Sequence, residues 1–122
     1  MTISVLDLAA PSGAKIYRST DIGGTKEAVK ASSGTIYAII IDNSANAAAS
    51  FLKLWDLASG DVTVGTTAPD WIVKVPASVK RTIAIPEGLA FATALTAACA
   101  TAGGTAGSTN PTSDVDASIV YA

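Results

Sequence analysis

Side chains able to perform acid–base or nucleophilic chemistry are few in this chain of 122 residues. The chain contains no histidine, so the commonest general base and the Ser–His and Cys–His nucleophile pairs are missing. Cys99, the single cysteine, lies in the uncharged segment LTAACATA, which favours a small buried residue over a reactive thiol. The composition excludes most hydrolase mechanisms, and we predict that the protein is not an enzyme.

Carboxylates could act in two other ways, as a glycosidase-type pair or as ligands of a hard cation. Asp114 and Asp116 project from one side of an extended segment, and with Asp42 or Asn43 nearby they could hold Ca²⁺. The twelve-residue calcium loop with its spaced ligands is missing, so a solvated strand edge is the simpler interpretation. Most acidic residues stand near turns, where carboxylates are solvated, and we predict neither a metal nor a cofactor.

Two glycine-rich stretches, DIGGTK and AGGTAGST, could suggest phosphate-binding loops. Neither has the P-loop spacing, and no helix is predicted after either one, so turn glycines explain both. Trp55 and Trp71 could stack against sugars or bases. Trp is also frequent in thin cores and subunit contacts, and we favour that second interpretation.

The charge pattern and the apolar runs exclude two classes of partner. The net charge is −2 and the eight basic residues are dispersed, which argues against nucleic-acid binding. The uncharged residues 88–110 are too rich in Thr, Gly and Ala to cross a bilayer. The N-terminus lacks a basic region followed by a sustained apolar run, so we predict synthesis in the cytoplasm without a secretory signal.

Period-two alternation and turn-forming clusters organise the rest of the chain into short strands. TIYAIIIDNS is the strongest strand candidate, and SFLKLWDL alternates so that both of its faces must be at least partly covered. WIVKV stops at Pro76 and KRTIAI stops at Pro86, with PEG as a turn. VDASIVYA is a last strand, with Val115, Ala117, Ile119 and Tyr121 on one face.

The remaining segments are less regular. LAFATALTAACATAGG has the composition of a helix and the alternation of a strand, and we predict a strand. GGTAGSTNPTSD is an exposed loop, while ISVLDLA, AKIYRS and TKEAVKA are short strand candidates. Eight or nine short strands without an amphipathic helix predict an all-β fold, either a small barrel or an antiparallel β-sandwich. A jelly-roll-like sandwich with an extended N-terminal segment is our first choice.

Five segments resemble small virion proteins of tailed bacteriophages, of the kind that decorate or cement the head. They are YAIIIDNSAN, FLKLWD, VGTTAPDWIVKVPA, IPEGLAF and AGGTAGSTNPTSD. Together they span about three quarters of the chain, all of it beyond Ser33. We therefore divide the chain into an N-terminal extension or attachment segment, residues 1–33, and a β-sandwich domain, residues 34–122.

The resemblance implies a structural protein on the exterior of the virion that stabilises the phage head. Its partners would be the major capsid protein and further copies of itself, as a homotrimer. The alternative is a phage tail or fibre-tip module that binds a host-surface glycan, and a carbohydrate-active enzyme ranks last. The predicted subunit or capsid contacts are Ile3, Val5, Leu6, Ile16, Tyr17, Trp55 and Trp71.

Overall fold

The computed structural model describes residues 13–122, and within them the chain is built from β-strands. One 3₁₀ turn, Ser59–Asp61, is the sole helical element of this part of the chain. The all-β prediction is therefore confirmed, while the strand candidate ISVLDLA lies outside the described residues. The strands are β1 Lys15–Ser19, β2 Glu27–Lys30, β3 Gly34–Asp42, β4 Ser50–Trp55, β5 Trp71–Val75, β6 Lys80–Phe91, β7 Leu95–Ala100 and β8 Asp116–Tyr121.

The strands form two four-stranded antiparallel sheets, as a β-sandwich requires. Sheet A has the order β1-β8-β3-β6 and sheet B the order β2-β7-β4-β5. Each strand of the first half pairs with its counterpart in the second half: β1 with β8, β2 with β7, β3 with β6 and β4 with β5. The chain thus folds as one long antiparallel hairpin. Its successive strand pairs lie alternately in sheet A and sheet B.

The core lies between the two sheets and follows the period-two alternation. The side chains that fill it come from alternate positions of β3, β4, β7 and β8, and each buried aliphatic side chain contributes about 1.5–3 kcal/mol. Cys99 is among them, as predicted, and burial raises the pKa of its thiol to about 11. The principal members are Ile36, Ile39, Ile41, Leu52, Leu54, Leu95, Ala97, Cys99, Ala117 and Ile119.

Strand β4 is covered on both faces, which confirms the prediction for SFLKLWDL. Leu52 and Leu54 face the core, whereas Lys53 and Trp55 on the opposite face are also fully buried. Trp55 forms a second apolar cluster with Val62 and Ala98. Its indole N–H donates to the Thr67 carbonyl at 3.0 Å, so the loop after β4 folds back over it.

Residues 15–30 of the predicted N-terminal extension are part of the sandwich, which corrects the predicted domain boundary at residue 33. β1 pairs with β8 along five register positions, and β2 pairs with β7. Each strand therefore forms one edge of a sheet, and we assign residues 15–30 to the same domain as residues 34–122. The physical reason is that β8 and β7 each expose a row of backbone donors and acceptors that β1 and β2 satisfy.

Strand β6 is longer than the sequence predicts, because it runs through Pro86 instead of ending there. β6 is an edge strand, where a residue without an N–H is tolerated. The register with β3 shifts from Ile36 opposite Leu89 to Ala38 opposite Ala84, so the predicted turn PEG is an insertion within the strand. The predicted strand in LAFATALTAACATAGG is consequently divided, since its first residues end β6 and residues 95–100 form β7.

A buried amide network closes one end of the sandwich, where β3, β5, β6 and β8 meet. The Asn43 amide nitrogen donates to the carbonyls of Ala48, Val75 and Pro76 at 3.0–3.3 Å. The amide oxygen of Asn43 accepts from Asn46 and from Ser50, at 2.9 and 2.8 Å. Asn46 in turn donates to the Ser113 carbonyl at 3.0 Å and accepts from the Ser113 N–H at 2.7 Å.

One carboxylate ties together the opposite end of the sandwich. Asp56, directly after β4, accepts hydrogen bonds from the backbone N–H groups of Ala92, Thr93 and Ala94 at 2.8–3.3 Å. These bonds fix the turn between β6 and β7, and they hold the pKa of Asp56 below its ordinary value. The turn-side carboxylates of this chain therefore include structural caps as well as solvated groups.

Candidate contact surface

The outer face of sheet A presents three rows of side chains to solvent. The first row is apolar or small and runs across the four strands as Ile16, Val120, Ala38 and Ala84. The second row is mixed and consists of Arg18, Ser118, Ile40 and Thr82. The third row is charged and contains Asp116, Asp42 and Lys80. None of these side chains is buried, so the face is open.

The charges on this face balance one another in number. Arg18 donates to both carboxylate oxygens of Asp116, at 2.6 and 3.2 Å. Asp42 stands opposite Lys80 in the register and accepts from the Ser44 N–H at 3.0 Å. Hydrogen bonding to Ser44 holds the pKa of Asp42 below its ordinary value, so this carboxylate stays charged in weakly acidic solution. The outer face of sheet A is therefore neutral overall.

Ile16 is the predicted contact residue that lies on this face. Its side chain is 69% exposed, the highest value among the large apolar residues of the described chain. Ile16 faces outward because Tyr17 and Ser19 on the other face of β1 turn inward. It is little covered because β1 is an edge strand. Ile16 stands opposite the partly exposed Val120 in the apolar row, so the two form a small contiguous apolar patch, which we take as a candidate contact position.

The other predicted contacts are elsewhere. Tyr17 packs against the core, and its hydroxyl donates to Glu27 at 2.5 Å; burial, followed by this bond, raises the pKa of Tyr17 to about 12. Trp55 is fully buried by its own chain, so it is not available to a partner, and half-buried Trp71 packs against the core. The predicted contacts Ile3, Val5 and Leu6 lie outside the described residues.

Residues of the outer face that the sequence analysis did not single out are Val120, Ile40, Ala38 and Ala84. The period-two alternation of the strands could have predicted their positions. Once Ala117 and Ile119 are assigned to the core, Ser118 and Val120 must lie on the other face. What the alternation does not specify is whether that second face is open or covered.

A polar groove of about 440 Å³ lies beside the loop between β1 and β2. Its lining includes the carboxylates of Asp21, Glu27 and Asp114. Glu27 is already engaged by the Tyr17 and Ser19 hydroxyls, at 2.5 and 3.0 Å. Across residues 13–122, no group of three or more His, Cys, Asp or Glu side chains is placed to hold a metal ion. Because Asp116 is bound to Arg18, the two aspartates of DVD have different surroundings.

The glycine-rich stretches serve close packing. The Gly24 N–H donates to the Asn110 side-chain oxygen at 2.5 Å, and a Cβ at Gly24 would overlap the Ser108 carbonyl. DIGGTK is thereby packed directly against the second glycine-rich loop. This contact agrees with the prediction that these are turn glycines and not phosphate-binding loops.

Comparison of the chain with known protein families, with curated proteins and with solved structures found no match. Among residues 13–122 there is no helix of the length and apolar character needed to span a membrane. A functional assignment must therefore be argued from the geometry of the chain itself, and the outer face of sheet A is its clearest feature.

Proposed function

We propose that the protein is a structural virion protein that decorates the exterior of a phage head and stabilises it. The observation that carries this proposal is the outer face of sheet A: an open face without net charge, which has a row of apolar or small side chains and exposed Ile16 at its edge. Such a face suits contact with a large regular surface better than recognition of a small molecule, because ligand sites are concave. The partner in this proposal is the major capsid protein.

The size of the face explains why several copies would act together. Four strands about 4.8 Å apart and three rows about 7 Å apart cover roughly 400 Å² in projection. A stable interface buries about 800 Å² on each partner. The face alone is thus too small for tight binding by one copy. A homotrimer on a capsid, where equivalent sites repeat around local symmetry axes, would add weak contacts as avidity.

The order and connections of the strands support the proposal that the sandwich is a jelly roll. A jelly roll contains eight strands in two sheets with Greek-key connections, and the four strand pairs described above fit that pattern. In such a fold the first strand lies at a sheet edge. β1 occupies that position, and the residues that precede it in the chain include Ile3, Val5 and Leu6. We propose that this segment extends the contact.

A matched pair of variants tests the proposal. Ile16→Asp places a charge on the outer face of sheet A, whereas Ile72→Asp places the same charge at the 44% exposed Ile72 of sheet B. Heads assembled from the capsid protein encoded with this chain are mixed with each variant and sedimented. We expect Ile16→Asp to weaken co-sedimentation by about tenfold or more, because it puts an unpaired charge where an exposed apolar side chain would contact the capsid, and Ile72→Asp to match the wild type. Equal co-sedimentation of both variants would reject this face as the contact.

The polar groove is the observation that favours the runner-up, a tail or fibre-tip module that binds a glycan. Sugar hydroxyls pair with carboxylates and amides, and the groove offers Asp21, Asp114 and Asn110. An array of bacterial surface glycans, probed with the wild type and with Asp114→Ala, separates the two functions. Binding that Asp114→Ala abolishes would favour the tip module over the decoration protein.

A further inference from the structure

The outer face of sheet B contains the one lysine that the fold buries among residues 13–122. Lys53 is 0% exposed, although its side chain points away from the core that Leu52 and Leu54 enter. It forms no ion pair among the described residues. Its ammonium instead donates to two backbone carbonyls, those of Gly104 and Gly107, at 2.5 and 2.7 Å.

Both carbonyls belong to residues 101–109, here called the strap, which lies between β7 and β8. The strap also passes over Phe51, since a Cβ at Gly103 would stand 2.9 Å from the Phe51 ring. None of the residues of the strap is buried, and its composition of Thr, Ala, Gly and Ser offers no large apolar side chain to the sheet. Apolar packing therefore does little to hold it down.

We propose that the strap is a detachable cover latched by Lys53, which closes over the outer face of sheet B and can leave it without unfolding the sandwich. Two charge-assisted hydrogen bonds attach it to the sheet, and its Ser108 also packs against Gly24 of the loop between β1 and β2. Covering Lys53 is itself unfavourable for the charged amine, and this burial lowers the pKa of Lys53. Closure is a balance between these opposing contributions, so the strap belongs to the low-stability part of the molecule.

Opening the strap would change the character of this face. The closed strap shows small polar side chains to solvent, whereas the open face presents the Phe51 ring, the Lys53 ammonium and the nearby Lys74, whose nitrogen lies 6.0 Å from the ring centre. The device thus converts a polar surface into an aromatic and cationic one. It lies on the sheet opposite the contact surface proposed above, and neither proposal depends on the other.

Two glycines of the strap provide a matched test that leaves Lys53 unchanged. A Cβ at Gly107 would stand 2.5 Å from the Ala102 carbonyl oxygen, which the strap can accommodate only by shifting. A Cβ at Gly104 meets nothing within 4 Å. Full-length wild type, Gly107→Ala and Gly104→Ala are briefly treated with an amine-acetylating reagent, and modification of Lys53 is measured by peptide mass spectrometry against exposed Lys80.

We expect Lys53 to be acetylated about tenfold faster in Gly107→Ala than in the wild type, and within about twofold of the wild type in Gly104→Ala. Cys99, buried between the sheets, reports global opening through its reaction with a thiol reagent, and it should stay protected. An unchanged Lys53 rate in Gly107→Ala would overturn the proposal. A parallel rise in Cys99 reactivity, or an equal rise in Gly104→Ala, would overturn it too.

Removing the Lys53 ammonium provides a second test of the proposal. Lys53→Met keeps a long side chain but removes the donors, and Lys74→Met is the control on the same face. We expect a nonspecific protease to cleave within the strap about tenfold faster in Lys53→Met, and at the wild-type rate in Lys74→Met, because cleavage follows the open population. Equal cleavage rates in Lys53→Met and the wild type would show that Lys53 does not hold the strap.

Discussion

Single residues decide how the two ends of this sandwich are closed, and Asn43 contributes most to one of them. Its side chain is fully buried and forms hydrogen bonds with five groups, which belong to the loop between β3 and β4, to the start of β4, and to the end of β5 and the residue after it. Each buried polar group that loses its partner costs about 1–3 kcal/mol. Asn43 therefore provides a specific test of whether buried polar bonds, in addition to the core, determine stability here.

We predict that Asn43→Ala lowers the free energy of unfolding by about 2–4 kcal/mol, because several carbonyls and the Asn46 amide lose their partner. Urea denaturation followed by tryptophan fluorescence measures the change. The neighbouring exposed Ser44→Ala is the control and should stay within about 0.5 kcal/mol of the wild type. Equal midpoints for Asn43→Ala and Ser44→Ala would contradict the described network.

The stability of the opposite end of the sandwich depends on pH through the Asp56 carboxylate. Its three backbone bonds lower its pKa in the folded state, so its contribution is complete above the ordinary value of 3.8 and is lost as the pH falls through the folded value. We predict that Asp56→Asn is less stable than the wild type at pH 7 and that the difference narrows below pH 3.8. Thermal unfolding at a series of pH values measures this. A difference independent of pH would exclude the carboxylate charge as the cause.

At the scale of elements, the insertion in β6 depends on a glycine. Gly88 has a φ of +82°, and a Cβ there would stand 2.4 Å from the Thr35 side chain. We predict that Gly88→Ala destabilises the fold by about 1–3 kcal/mol through backbone strain and overlap. Gly60→Ala, where a Cβ meets nothing within 4 Å, should be nearly neutral in the same urea denaturation experiment. Equal free energies of unfolding for the two variants would contradict the prediction that the insertion requires glycine at position 88.

The sequence predicts most elements of this fold because local alternation is enough to identify a strand. TIYAIIID and DASIVY became β3 and β8, and the face predicted for the second of them, with Ala117 and Ile119, lies toward the core. The predicted strand end at Pro86 was wrong because an edge strand tolerates proline. Whether a strand lies at an edge is a property of the whole sheet and cannot be read from the local sequence. Trp55 was assigned to a partner contact although the loop after β4 buries it, because that loop has no periodicity from which its position could be predicted.

The candidate contact surface was predictable only in part for the same reason. Ile16 could be named from the sequence because an apolar residue beside charged neighbours on a short strand is conspicuous. Val120, Ala38 and Ala84 join it only through the register of four strands. That register depends on the pairing of β1 with β8, two segments at opposite ends of the chain.

At the scale of the whole molecule, the proposed decoration role requires several copies acting together. We predict that the protein is a homotrimer at micromolar concentration, with a mass by light scattering of three times the 12.2 kDa chain. The reason is that the single outer face is small and that closed symmetry suits repeated sites on a capsid. A mass equal to one chain under the same conditions would contradict the trimer.

The N-terminal segment provides a second test at this scale. We predict that deletion of residues 1–14 leaves a soluble domain with the circular dichroism of a β-sandwich, because β1 begins at Lys15 and the described core lies beyond it. The truncated protein should lose most of its occupancy on heads. Unchanged occupancy would place the contact entirely on the folded domain.

The central claim is that this protein stabilises a capsid by binding to its exterior, and the temperature at which DNA-filled heads release their DNA tests it most directly. Ligands that bind only the intact state stabilise it by about 4 kcal/mol at a thousandfold excess over the dissociation constant. We predict that wild-type protein raises the DNA-release temperature of heads that lack it, and that Ile16→Asp does not. Heads that release DNA at the same temperature with and without the wild-type protein would contradict the account.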